Sequence, residues 1–412
     1  MNHTLIVRLL TYLIFRFLHL LLLLESDIYA LLLRLFDKKN VDNEVEILNI
    51  IGRFRFDSTD VTRESDFLSF HEKTTLFEEI CEEGWFIYNI TERYLYLVKI
   101  RPIDVDANFE STISVEKCSK LSHFLFQNAE KLARCQVDTF LLISKSIPPF
   151  KSKVFLFHSV PASGGTTVAK MIQSCDKSKM SLLVIGEPPF LTSLSLLYNK
   201  LSVEDLRNLC KSTLRFSLLH QKEQQTIVLK SRSPAIKLVP FIHSVTPSIQ
   251  HLFISRKNLC HVISRLLLVT SSELNTSIFG ILLKLNEFGV SSIFSAWRDL
   301  ELEVFTRIGP RNDMEFAMSQ VYGAFLNFHR NRSYFVKDVP IIDELISDTA
   351  FAMRPILELC EISDLAIPEC IEWKRQNEQT IQQIWDTGEL SSDDMARIKH
   401  LRDLLRQDVF SF

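Results

Sequence analysis

Glycine is scarce in this chain, ten of 412 residues, and no Gly/Ser-rich linker, long repeat or low-complexity tract interrupts it. That excludes modules strung on flexible tethers and repeat architectures. There is no excess of positive charge either. The 47 Lys and Arg face 50 Asp and Glu, a formal net charge of −3, so the basic footprint of a broad nucleic-acid binder is missing. The eight cysteines, Cys81, Cys118, Cys135, Cys175, Cys210, Cys260, Cys360 and Cys370, include no C-x-x-C pair and no zinc-ligand spacing. They read as core residues or free thiols, with disulfides open in a lumenal setting, and no metal is expected. What the chain has in quantity is apolar residues, 46% of the total, enough for a substantial core and more than one domain.

The most informative stretch is Lys153-Val-Phe-Leu-Phe-His-Ser-Val-Pro-Ala-Ser-Gly-Gly-Thr-Thr-Val-Ala-Lys170. An apolar run reaches a small-residue turn and continues into a helix-compatible segment. A strand feeding a turn that opens a helix gathers free backbone N–H groups at the positive end of the helix dipole. Such a nest holds a phosphate-like group, and the hydroxyls of Thr166 and Thr167 add donors. Gly165 is followed directly by Thr166, so the lysine of the G-x-x-x-x-G-K-[ST] loop is missing and simple nucleotide triphosphate hydrolysis is disfavoured.

Further short apolar runs recur at Ser181–Gly186, Thr226–Lys230, His251–Ser255 and Tyr334–Val336, separated by segments of helical spacing such as Val203–Leu219 and Phe316–Phe328. This alternation predicts an α/β fold, a P-loop-type parallel β-sheet flanked by helices. Ligands of such sheets sit at the carboxyl ends of the strands. Four of the runs end in residues suited to an anion or to proton transfer: the Ser163–Thr167 loop, Glu187, Lys230 to Arg232, and Arg256.

With these residues in place, the chain resembles the sulfotransferases that use 3′-phosphoadenosine 5′-phosphosulfate (PAPS). Pro161-Ala-Ser-Gly-Gly-Thr-Thr167 is similar to their first loop, and Arg256 with Ser264 eight residues on is similar to the pair that grips the donor's 3′-phosphate. Lys230 matches the family's lysine after its third strand, and Glu187-Pro188 is similar to one divergent branch. The likeness covers about residues 151–362. It implies transfer of a sulfonate from PAPS to a hydroxyl or amine, with Ser163, Gly164, Gly165, Thr166, Thr167, Arg256 and Ser264 binding the donor. Two departures matter for catalysis. Ala162 stands where the family has a lysine, and Arg232 where it has a histidine base. Sulfonate transfer needs charge stabilisation and usually a base, for which the chain offers Lys230 or Arg232 and Glu187 or His158. A catalytically inactive nucleotide-binding or membrane-tethered interaction protein is the alternative. A kinase-like phosphotransferase is disfavoured by the missing loop lysine, and nothing identifies the acceptor.

Residues 1–39 are expected to form a hydrophobic helix and possible membrane anchor, residues 40–150 a small α+β region, and residues 151–412 the sulfotransferase-like domain. Leu5–Leu24 is nearly continuous apolar sequence stopped by Glu25-Ser26-Asp27, long enough to cross a bilayer. Arg8, Tyr12, Arg16 and His19 form a polar stripe that would suit an interfacial or partner-bound helix instead. A Golgi-type single-pass arrangement in the secretory pathway is one expectation, with sequons at Asn89, Asn275 and Asn331. Arg34, Lys38 and Lys39 oppose a lumenal orientation, and a cytoplasmic location is the alternative. Within the second region, Trp85–Tyr88 and Tyr94–Ile100 read as a hairpin, Val115–Ala133 has helical spacing, and two surface helices are expected over Trp373–Trp385 and Asp393–Leu405.

Overall fold

The structure, a computed structural model, describes residues 3–36, 44–55, 60–101, 113–177, 181–256, 258–270, 301–339, 341–385 and 390–409. In chain order its main elements are α1 (His3–Phe36), β1 (Glu44–Arg53), β2 (Phe67–Leu76), β3 (Trp85–Ile90), β4 (Tyr94–Lys99), α2 (Leu121–Asn128), β5 (Lys131–Gln136) and α3 (Val137–Ile143). Then follow β6 (Lys153–Ser159), α4 (Gly165–Ser174), β7 (Leu182–Gly186), α5 (Pro189–Leu197), α6 (Val203–Ser217), β8 (Thr226–Lys230), β9 (Gln250–Ile254) and α7 (Leu259–Thr270). The last are α8 (Leu302–Ile308), α9 (Asp313–Arg330), β10 (Phe335–Val339), α10 (Thr349–Leu359), α11 (Ile367–Gln376) and α12 (Ser392–Val409).

The chain divides into two compact units. One comprises Met1–Ser152, Glu187–Gln224 and Ser244–Thr246, and the other Lys153–Gly186, Gln225–His243 and Pro247–Phe412. The excursion Glu187–Gln224, with α5 and α6, therefore clusters with the N-terminal residues and not with the strands on either side of it.

The first unit contains an antiparallel sheet in the order β2-β1-β5-β4-β3. The hairpin is β3 and β4, paired Trp85 to Lys99 through Ile90 to Leu95. The helical spacing over Val115–Ala133 is realised only from Leu121 to Asn128. Lys131–Gln136 is instead the strand that joins β1 to β4. Leu132, Ala133 and Cys135 are buried there, and pairing on both edges overrides a local periodicity. Inside the unit, Arg55 donates to Asp66 at 2.9 Å and to the Tyr88 hydroxyl at 2.8 Å, and Tyr88 donates to Asp66 at 2.6 Å. Helix α6 begins where Ser202 Oγ accepts the Asp205 N–H at 3.1 Å, an N-cap that satisfies one of the helix's free donors.

Helix α1 contains a segment, Ile6–Ser26, that is long and apolar enough to cross a membrane. One side of it meets its own unit. Tyr12 and Phe15 lie against Phe54 with centroids 6.1 and 5.6 Å apart, His19 Nδ1 stands 3.1 Å from the Phe67 carbonyl, and Ser26 donates to Glu46 at 2.7 Å. The other side exposes Val7, Leu10, Ile14, Phe17, Leu21 and Leu24, a spacing of three and four residues that keeps one helical face apolar.

The second unit is the α/β part: a five-stranded parallel sheet in the order β7-β8-β6-β9-β10, flanked by helices. Its strands are short apolar runs, as buried parallel strands require. Phe253 of β9 stacks on Phe328 of α9, centroids 4.0 Å apart and planes at 10°, with Phe335 of β10 edge-on to both. Two of the three sequons are closed in the fold. Asn89 is 6% exposed and donates to Glu64, and Asn331 is 9% exposed and donates to the Ile236 carbonyl. Neither amide can carry a bulky glycan in this structure. Asn275 lies outside the described residues.

Candidate functional site

The order of the parallel sheet places β6, the first of its strands in the chain, at the centre. The chain leaves β6 to form β7 two places away, returns through β8, and then crosses to β9 on the other side. This reversal makes a topological switch point, and the crevice of such a sheet opens at the carboxyl ends of its strands. The turn from Val160 to Gly164 lies there.

Two residues of that turn have left-handed backbone, Ala162 at φ 58° and Gly164 at φ 84°. Glycine adopts this conformation without strain, whereas alanine incurs a steric cost, so Ala162 is held there by its surroundings. Ser163 fixes the turn from inside. It is fully buried, and both its N–H and its hydroxyl donate to the Val160 carbonyl, at 3.2 and 2.7 Å. Gly164 is the N-cap of α4, and its carbonyl accepts the N–H groups of Thr167 and Val168. Gly165 and Thr166 occupy the first two helical positions, whose N–H groups have no acceptor within the helix.

Gly165 is held tightly. A Cβ built on it would stand 2.4 Å from Ser159 Oγ and 3.5 Å from Lys230 Cε. The end of β8 therefore delivers the Lys230 stem to the first turn of α4, and Lys230 is 6% exposed. Arg232 follows at intermediate exposure, at the N-cap of a short 3-10 turn.

Arg256 lies just beyond β9 at 3% exposure, and Ser264 is equally buried on α7. Burial pushes the Arg256 guanidinium below its ordinary range, with Asp343 opposing and Arg265 reinforcing the shift. Arg256 forms one wall of a cavity of about 670 Å³. His329 of α9 and Lys399 and Arg402 of α12 also line it, against an apolar side that includes Phe325 and Ile398. The C-terminal residues were expected only to form surface helices. The spacing Met395, Ile398, Lys399, Arg402 on one helical face was the available signal that α12 presents a mixed apolar and basic side.

His158 is in a different environment from the other candidates. It has no exposure, its Nδ1 stands 2.8 Å from Ser231 Oγ, and its Nε2 stands 3.3 Å from Nδ1 of His251. Burial, then the neighbouring His251, holds His158 well below the usual histidine range, and burial with His243 brings His251 to about 3. Both rings are neutral near pH 7 and form a polar pair inside the sheet. Glu187 follows the last residue of β7 with φ 51° and 9% exposure, and it belongs to the first compact unit. Among the described residues no group of three His, Cys, Asp or Glu stands close enough together to hold a metal ion.

The second unit thus brings Ser163, Gly164, Gly165, Thr166, Thr167 and Lys230 to one point, and places Arg256 against a basic cavity of its own. The arrangement suits an anionic ligand with an apolar part. No protein-family model matches this chain, and a search among curated proteins returns no relative.

Proposed function

We propose that this protein binds PAPS and transfers its sulfonate to a hydroxyl or amine of an acceptor. The observation that carries the reading is the left-handed turn at the carboxyl end of the central parallel strand, with Lys230 brought against the first residue of the helix it opens. Backbone donors and a cation at one point suit the donor's phosphosulfate. Arg256, beside His329, Lys399 and Arg402, suits its 3′-phosphate, and the apolar side of that cavity suits the adenine. In the transfer the acceptor oxygen or nitrogen forms a bond to sulfur as the bond from sulfur to the phosphate oxygen breaks. Lys230 and Arg232 offset the charge gathering on the sulfonate and leaving phosphate. The acceptor's proton leaves to solvent, because His158 has no open face to take it.

Ala162 and Arg232 favour a second reading, donor binding without transfer. We also propose that α1 attaches the protein to a membrane, with the face bearing Val7, Leu10, Ile14, Phe17, Leu21 and Leu24 in lipid; this is compatible with a secretory-pathway location such as the Golgi.

The test is calorimetric titration of the full-length protein with 3′-phosphoadenosine 5′-phosphate, with ATP as competitor. Micromolar binding is expected, weakened about 10-fold or more in Arg256→Ala and Thr166→Ala, since a hydrogen bond to a charged group is worth about 1.5–3 kcal/mol. No binding by folded wild-type protein refutes the assignment. Binding without turnover of PAPS in an acceptor screen selects the second reading.

A further inference from the structure

We propose that Cys175 and Cys370 are a disulfide-forming pair that joins α4 to α11 under oxidising conditions. Their sulfurs stand 3.2 Å apart although 195 residues separate them in the chain. Cys175 is the C-cap of α4, and Cys370 lies in the middle of α11, which packs on α4. Both sulfurs converge on the Met171 carbonyl, at 3.6 and 3.5 Å. A disulfide bond of about 2.0 Å requires the sulfurs to approach by about 1.2 Å, within reach of small side-chain rotations. No spacing in the sequence marks these two cysteines, and the pairing depends on the packing of the two helices.

Access and reactivity are divided between the partners. Cys175 is partly exposed, whereas Cys370 has no exposure. The hydrogen bond between them holds the Cys370 thiol below its ordinary range and pushes Cys175 up, with burial adding to the rise at Cys175. Because only Cys175 can be reached from outside, it takes the first exchange, and the buried Cys370 beside it resolves the mixed disulfide. The oxidant is a small disulfide such as oxidised glutathione. Cys175 exchanges with it to form a mixed disulfide and releases one glutathione thiol. The Cys370 sulfur then attacks Cys175 Sγ, the mixed disulfide breaks, and the second glutathione leaves. Two protein thiols become one disulfide, and their two protons end on the two glutathiones. Cys360, buried near Cys175 and felt by it electrostatically, is the competing thiol.

The experiment uses the full-length protein incubated with oxidised glutathione, alkylated without reduction, digested and mapped by mass spectrometry. A cross-linked peptide joining Cys175 to Cys370 is expected. The thermal midpoint should rise by about 5 °C or more over the reduced protein, because a long closed loop constrains the unfolded chain. Cys175→Ser and Cys370→Ser should each abolish the cross-link and the rise while keeping the reduced midpoint near wild type. Separately alkylated Cys175 and Cys370 in folded, oxidant-treated protein would overturn the proposal. So would a stable glutathione adduct on Cys175, or a cross-link from Cys175 to Cys360.

Discussion

Gly165→Ala places a Cβ 2.4 Å from Ser159 Oγ and 2.7 Å from Ser159 Cβ. Rotating the serine hydroxyl away relieves the first contact but not the second, because Cβ moves only with the backbone of β6. Either the end of β6 or the first turn of α4 must shift, and Lys230 Cε, 3.5 Å from the same point, crowds the other side. Overpacking of this kind costs about 1–3 kcal/mol, while alanine in place of glycine at a helical position returns about 0.5–1 kcal/mol. The expected net destabilisation is about 0–2.5 kcal/mol, centred a little above about 1 kcal/mol. Displacing the turn also misaligns the N–H groups of Gly165 and Thr166, so affinity for 3′-phosphoadenosine 5′-phosphate should fall about 10-fold or more. Ser159→Gly removes both clashing atoms. Combined with Gly165→Ala it should recover most of the lost stability and affinity, although alone it lowers stability slightly. The assay is urea unfolding and calorimetric titration of the four proteins as a double-mutant cycle. A coupling below about 0.5 kcal/mol would refute the close approach on which this rests.

The buried His158–His251 pair makes stability depend on pH. The folded value of His251, about 3, lies below the ordinary 6.5, so the unfolded chain binds more protons in that window. Stability is full above the unfolded value and falls as pH drops from about 6.5 towards 3, His251 alone contributing a loss of about 2 kcal/mol between pH 7 and pH 5. His158 acts with the same sign. Urea midpoints over that range should fall in wild type and fall less in His251→Phe, and a flat profile in wild type would contradict the burial. For α1, wild-type protein should float with liposomes while Phe17→Glu/Leu21→Glu does so at least several-fold less. Equal flotation of the two would remove the exposed face as the attachment site.

Much of the second unit was legible because its determinants are local. Val154–Phe157, Leu182–Ile185 and Ile227–Leu229 are buried apolar runs too short for helices and punctuated by turn residues. The passage from β6 through Pro161–Gly165 into α4 is marked by a proline, two glycines and a helix that follows at once, whereas the left-handed backbone at Ala162 is not marked by its residue type. The apolar character of α1 is likewise a property of consecutive residues.

What only the tertiary structure decided depends on partners distant in the chain. Lys131–Gln136 became a strand because β1 and β4 offered it hydrogen bonds on both edges. His158 stands at the end of β6, as its place after an apolar run suggests, but its partners there, Ser231 and His251, lie 73 and 93 residues away. Lys230 meets Gly165 only because β8 lies beside β6, an adjacency that connection lengths do not specify. Cys175 and Cys370 come together only where α11 packs on α4. Local steric preferences and apolar spacing are written in neighbouring residues, so the sequence by itself determined the short strands of the parallel sheet, the turn and the apolar helix. Strand order and side-chain pairing minimise the free energy of the whole chain, and only the folded structure decided them.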